Sequence, residues 1–406
     1  MKILILQADG MPDYPVKELG GKTPLESADT PNLDQLTKRS IMGITNTIPA
    51  GLPPGSDVGN LSILGYNPKI YYTGRAPLEA LSMGLKLNAC DIAYRCNLVT
   101  LDASGSNIIM KDYSAGHVTT EEAKELISFI NQNLRYPGIR FFPGVSYRHI
   151  MLWSNGSDEY KCTPPHDITG REINDFLPRG KDRFLQEMIF RSLEILNNHP
   201  VNLRRKQAGK PPANAIWLWG QGRATSMPSI RDKMGLKGAI IAGVDLIKGI
   251  GKAAGLDVIN VNGATGYLDT NYEGKGTAAC EALRTHDLVF LHLEAPDEAG
   301  HNGNYQDKVK SIEFFDKRLL GTIMKNLNSL IEEIIIIVLS DHPTPCSVKT
   351  HVAEPVPFLI YHNRQTKHNI NPARFTELNA KKSGVVIEHG WELLENVVNQ
   401  KIFKII

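Results

Sequence analysis

Ile334–Leu339 is an unbroken run of six aliphatic residues, preceded by two glutamates and followed directly by Ser340, Asp341, His342 and Pro343. A short apolar run bounded in this way suits an inner strand of a parallel sheet, where both faces are covered and alternation disappears. It is far too short to span a bilayer, which takes about 20 residues. Leu288–Leu293 is similar and leads into Glu294, Ala295, Pro296 and Asp297. Ile3–Leu6 leads into Gln7, Ala8, Asp9 and Gly10, and Ile216–Trp219 ends in Gly220, Gln221 and Gly222. Apolar residues at three- and four-residue spacing predict helices over Lys308–Leu330 and Thr119–Ile130. Strands alternating with helices predict an α/β sandwich. In such a sheet the chemistry gathers at the carboxyl ends of the strands.

The chain has 406 residues, enough for one large domain or two. The stretch 89–211 has its own strand candidates, Tyr94–Leu101 and Ser146–Trp153, and its own helix candidate, Lys181–Asn197. It is expected to be a smaller α/β domain inserted into a discontinuous one made of 1–88 and 212–406. A net charge of only +2 offers no extended basic field for nucleic acid. Cysteines 90, 96, 162, 280 and 346 are scattered and odd in number, as in a reducing compartment. The apolar stretch at the N-terminus is too short for a signal peptide. The expectation is a cytoplasmic protein with no membrane or nucleic-acid partner. Its oligomeric state, monomer or homo-oligomer, stays open.

Polar residues collect where the strands are predicted to end. Asp9 follows the first strand, and Asp297 and His301 lie four apart after the second run. Asp341 and His342 follow the third run, and His351 comes nine residues later. On a helix, Asp297 and His301 share one face; on a loop, Gly300 and Gly303 would let both turn inward. Carboxylates and imidazoles in this number suit divalent ions such as manganese or zinc, with magnesium or cobalt as further options. A pair of ions would clamp the entering and leaving oxygens of a phosphoryl group. Taken singly, Asp9 also reads as a helix cap and Asp341-His342 as a turn. Ser56, in Pro54-Gly55-Ser56-Asp57-Val58-Gly59-Asn60, is the nucleophile candidate. It either caps a helix starting at Asp57 or uses that helix's free N–H groups to receive a phosphate.

These segments resemble the cofactor-independent phosphoglycerate mutases, archaeal-type branch, of the alkaline phosphatase superfamily. The resemblance runs over nearly the whole chain. It is carried by Ala8-Asp9-Gly10, the Ser56 segment through Ser62, Gly74-Arg75-Ala76-Pro77-Leu78-Glu79-Ala80 and Tyr94-Arg95-Cys96-Asn97. His199-Pro200-Val201-Asn202, Asp297-Glu298-Ala299-Gly300-His301, Ser340-Asp341-His342 and His351 with Pro355-Val356-Pro357 complete it. It implies an alkaline-phosphatase-like three-layer sandwich with an inserted domain. It also implies interconversion of 3-phosphoglycerate and 2-phosphoglycerate through phosphorylated Ser56. One ion would be held by Asp297, His301 and His351, the other by Asp9, Asp341 and His342 with Ser56. By position, Arg95, His117 and Arg148 would hold the small phosphorylated hydroxy acid, while Lys248 and Asp112 would assist catalysis. Arg95 also reads as a strand-edge residue with its head in water, and Trp217 and Trp219 read as packing residues.

The chain departs from the archaeal pattern at Trp219-Gly220-Gln221-Gly222, at Glu294 where a lysine is usual, and at Pro164-Pro165-His166. These changes leave the acid, imidazole and serine set intact but alter the expected substrate pocket. A homoserine kinase-like phosphotransferase and a simple metal-dependent phosphatase are therefore the alternatives. No Gly-x-x-x-x-Gly-Lys-Ser/Thr loop is present.

Overall fold

The computed structural model describes residues 1–327, 333–364 and 374–404. The chain divides into two compact units, one made of Met1–Tyr72 with Ser226–Ile406 and one of Thr73–Thr225. The second unit takes in the helix Arg75–Ser82 and the strand Ala215–Arg223, so it extends past 89–211 at both ends.

Among the described residues, the first unit is built on a sheet of eight strands. Lys2–Ala8 lies at the centre, parallel to Ile334–Leu339 on one side and to Leu288–Leu293 on the other. Gly238–Ile241 and Asp257–Ile259 continue the parallel part. Val356–His362 and Ser40–Thr45 add an antiparallel wing beyond Ile334–Leu339. The bounds of the six-residue aliphatic run and of its strand coincide, and every residue in it is buried. The reason is two-sided cover. Leu4, Leu6, Val289, Leu291, Ile336 and Val338 share one core with Tyr272, Ile312, Phe315 and Leu319 from the helices. Ile240 points the other way, where the helix Asp245–Ala253 passes so close that a Cβ on Gly251 would sit 2.5 Å from its methyl group. Helices on both faces of a mixed sheet make the three-layer sandwich.

Residue patterns explain several boundaries. Thr119 caps the helix Thr120–Asn133: its hydroxyl accepts the N–H of Glu122, whose carboxylate accepts the N–H of Thr119. The periodicity over Lys308–Leu330 resolves into the helices Tyr305–Phe314 and Gly321–Leu327 with a π-helical stretch, Phe315–Leu320, between them. Leu330 lies outside the described residues.

The second unit is a separate five-stranded antiparallel sheet. The long strand Asp91–Asp102 pairs with Ile109–Asp112, Arg148–Ser154 and Ala215–Arg223. Here the sequence reading needs correction. Ile216–Trp219 does not join the parallel sheet but belongs to this antiparallel one. Burial on both faces removes the alternation that would have told the two apart. The strand also continues through Gly220–Gly222 instead of turning there. Its register against Asp91–Asp102 shifts between Ala93 and Arg95, and Gly220 takes a φ of +60°. Gly222 lies where a Cβ would come within 2.2 Å of the Thr73 carbonyl, so no side chain fits.

Candidate metal centre

Strand register gathers the site. Ala8 is level with Leu293, and Gln7 with both His292 and Leu339. The residues just past each strand end, Asp9, Glu294, Ser340 and Asp341, therefore emerge at one edge of a parallel sheet although Asp9 lies roughly 285 to 330 positions before the other three in sequence. Ser340 ties two of these ends together: its hydroxyl donates to the Ala8 carbonyl at 2.7 Å and accepts the Met11 N–H at 3.2 Å.

Asp297 and His301 lie on a short helix, Ala295–His301, with Pro296 in its first turn. This settles their alternative in favour of the helix, and the four-residue spacing puts His301 Nε2 3.3 Å from Asp297 Oδ2. His351 Nε2 lies 3.5 Å from Asp297 Oδ1 and 2.9 Å from His301 Nε2. Three donor atoms thus converge. Burial works against ionisation of Asp297, but the His301 and His351 imidazoles outweigh it and hold the carboxyl well below the usual carboxylate range. Burial likewise opposes the charge on His301, but Asp297 outweighs it and lifts the imidazole to about 9.

A second set surrounds Asp9, which is fully buried. Burial, and then the charges of Asp341, Glu294 and Asp297, push its carboxyl well above the ordinary range. Its Oδ1 has no hydrogen-bond partner among the described residues. His342 Nε2 lies 3.7 Å from that atom and 3.2 Å from Asp341 Oδ2. Asp341 also accepts from Asn60 Nδ2 at 3.1 Å and from the Gly10 N–H at 3.3 Å. Two donor triplets that include Asp297 fall within one ion's reach: Asp297, His301 and His351, and Asp9, Asp297 and His342. Asp341 stands beside the second triplet without completing a triplet of its own. A buried orphan oxygen among these acids and imidazoles calls for positive charge, and oxygen and nitrogen donors of this kind fit divalent ions.

Ser56 lies at the first position of the helix Ser56–Ile63, with Gly55 in the capping position. It therefore does not cap a helix beginning at Asp57. Its Oγ is 3.2 Å from His342 Nε2. The helix sits close to the Asp341 loop because Gly59 has no side chain; a Cβ there would come 2.8 Å from that of Asp341. All seven residues expected to surround the ions, Asp9, Ser56, Asp297, His301, Asp341, His342 and His351, lie in the first unit and converge at this edge.

His292 is a member of the site that the sequence reading passed over. It is fully buried, with Nε2 2.8 Å from Asp9 Oδ2 and 3.2 Å from Glu294 Oε2. Asp9, His292 and Glu294 form a third close group of donor atoms. The available signal was an imidazole in an otherwise apolar strand, one residue before its end. Lys248 is half-buried on the helix Asp245–Ala253 of this unit, and its charge is felt by the buried Lys275.

The remaining expected residues lie in the second unit. Arg95 is buried on Asp91–Asp102; its Nε donates to Glu79 Oε2 at 2.8 Å, and its guanidinium lies 4.3 Å from the Trp219 ring. It is not a strand-edge residue with its head in water. Trp217 and Trp219 are packed inside, with their indole N–H groups donating to Thr163 O and Asn97 Oδ1. Arg148 is exposed, 5.5 Å from the Tyr147 ring. Asp112 accepts from Ser114 N, Ser114 Oγ and Gly116 N, holding a turn in which Ala115, Gly116 and His117 all have positive φ. Two of these bonds fall on Oδ1 and one on Oδ2, so the carboxylate is oriented by the turn.

A serine at a helix start, facing buried acids and imidazoles at the carboxyl edge of the sheet, defines an alkaline-phosphatase-like α/β enzyme. Residues 37–202 match the family model of 2,3-bisphosphoglycerate-independent phosphoglycerate mutase. A 2,3-bisphosphoglycerate-independent phosphoglycerate mutase of Methanosarcina acetivorans is 55% identical, over 89% of this chain and 90% of that one. One of Methanosarcina barkeri is 50% identical, over 99% of this chain and all of that one. A solved structure of a Pyrococcus horikoshii protein superposes with a TM-score of 0.81 at 32% identity, covering 98% of this chain and 97% of that one. The chain belongs to the 2,3-bisphosphoglycerate-independent phosphoglycerate mutase family. No helix among the described residues is long and apolar enough to cross a membrane.

Proposed function

We propose that this enzyme interconverts 3-phosphoglycerate and 2-phosphoglycerate through phosphorylated Ser56. The observation that carries the reading is the Ser56 hydroxyl 3.2 Å from His342 Nε2, itself one of the converging donors. Asp297, His301 and His351 would hold one divalent ion, manganese or zinc being the best matches to the donors. Asp9, Asp341 and His342, beside Ser56, would hold the other, and Asp297 is near enough to His342 to be shared. Such ions supply charge that shields an anionic phosphoryl group and favours an ionised hydroxyl. Ser56 Oγ attacks phosphorus as the bond to the glycerate O3 breaks, and the proton lost by the serine balances the one gained by O3. After the glycerate turns, O2 attacks phosphorus as the bond to Ser56 Oγ breaks, and the proton lost by O2 balances the one regained by Ser56 Oγ.

The helix start at Ser56 directs free backbone N–H groups at the phosphate. His292 donates to Asp9 and keeps its carboxylate turned toward the centre. The second unit is read as the substrate-binding domain, with Arg95, Arg148 and His117 taking the carboxylate and phosphate of the hydroxy acid. The fork of an arginine fits both groups. Asp112 shapes the turn that presents His117, and Lys248 adds positive charge in the first unit.

The test is a coupled assay with 3-phosphoglycerate and added manganese, run beside homoserine plus ATP. Turnover of 3-phosphoglycerate alone is expected, and Ser56→Ala should abolish it while leaving the bound metal unchanged. Normal turnover by the variant, or activity confined to homoserine and ATP, would overturn the reading.

A further inference from the structure

We infer that Thr344 is a positioning residue whose single hydroxyl selects the tautomer of His342 and fixes the carboxylate of Asp297, joining one donor from each side of the centre. The inference rests on the reading of Asp297 and His342 as donors to divalent ions. Thr344 Oγ1 lies 2.5 Å from Asp297 Oδ1 and 3.2 Å from His342 Nδ1. A hydroxyl carries one proton. If it pointed at His342, two bare oxygens would face each other at 2.5 Å. The proton therefore goes to Asp297, and Nδ1–H of His342 donates to Thr344 Oγ1. His342 is then left with its lone pair on Nε2, the atom that faces Ser56 Oγ, Asp341 Oδ2 and Asp9 Oδ1. A hydrogen bond to one ring nitrogen decides which nitrogen is free to take a metal.

The same hydroxyl leaves Asp297 with Oδ1 toward His351 and Oδ2 toward His301. Thr344 is itself held from several directions. It is fully buried, its N–H reaches the Gly10 carbonyl at 3.3 Å, and its own carbonyl accepts from Lys308 Nζ at 2.8 Å. Two glycines make room for it. A Cβ on Gly10 would come 2.5 Å from Thr344 Oγ1, and one on Gly300 would come 2.2 Å from its carbonyl oxygen. The residue sits in a Pro-Thr-Pro segment that carries no chemical signal in sequence.

Two measurements test this. In metal-free protein labelled with 15N-histidine, long-range 15N–1H correlation reads the tautomer of His342, assigned by the signal missing from His342→Gln. The proton should be on Nδ1. Thr344→Val keeps the shape and removes the hydroxyl; it should lose that preference and bind manganese about 10- to 100-fold more weakly, and Thr344→Ser should restore both. A proton on Nε2 in the wild type, or a Thr344→Val protein with unchanged tautomer and unchanged manganese affinity, would overturn the inference. If the wild type binds no manganese, the metal reading itself fails, whereas the tautomer measurement still decides the role of Thr344.

Discussion

Lys308→Met probes how the two ligand-bearing loops are held in place. Lys308 is completely buried on the helix Tyr305–Phe314. Its ammonium donates to Asp13 Oδ2 at 2.8 Å, to Thr344 O at 2.8 Å and to Pro12 O at 3.2 Å. Those three bonds pin the loop after Asp9 to the loop after His342. Methionine nearly fills the volume but supplies no donor. Asp13 would still accept the N–H groups of Tyr14 and Cys346, but its charge would be buried without a cation. Removing one partner of a buried pair costs about 3–5 kcal/mol. At about 2–4 °C per kcal/mol for a body of this size, the melting temperature of the first unit should fall by roughly 10 °C. Asp13→Asn combined with Lys308→Met should recover part of the loss, because the orphan charge goes with it. Urea titration and calorimetry of the metal-free protein provide the measurement. A loss below about 1 kcal/mol for Lys308→Met would refute the assignment of these bonds as the clasp between the loops.

Two further outcomes are expected. Burial pushes the Glu377 carboxyl up to about 7 from 4.5, against the bonds it accepts from Thr23 Oγ1 and Asp13 N. Between those pH values the fold keeps a proton that the unfolded chain has lost, so stability should fall as pH rises through the window, by up to about 3 kcal/mol. Glu377→Gln should flatten that slope in denaturation curves taken from pH 4 to pH 8; a slope identical to wild type would rule Glu377 out. Gly10→Ala places a methyl on a residue at φ +60° and 2.5 Å from Thr344 Oγ1. It should cost at least 1 kcal/mol in backbone strain and weaken manganese binding; calorimetry and metal titration matching wild type would contradict the packing described for Thr344.

The parallel core was legible because its strands are short, fully buried and continuous, and Ile334–Leu339 needed no alternation to be recognised. What could not be read was partnership. Nothing in Ile216–Trp219 distinguishes a parallel neighbour from an antiparallel one, and both settings bury the segment equally. Most of the acids and imidazoles stood out because they follow a strand or share a helix turn, as Asp297 and His301 do, whereas His351 lies in a loop. Their convergence depends on the order of strands, which places Lys2–Ala8 between its two distant partners. His292 and Thr344 escaped notice for opposite reasons: one is masked by an apolar strand, and the other is an ordinary hydroxyl whose importance comes only from the two atoms it touches.

Anomalous diffraction from crystals grown with manganese tests the centre most directly. The account predicts two ions: one bound by Asp297, His301 and His351, the other beside Ser56 and bound through His342 Nε2 and Asp9. A single ion, or density confined to the Asp9, His292 and Glu294 group away from Ser56, would contradict it.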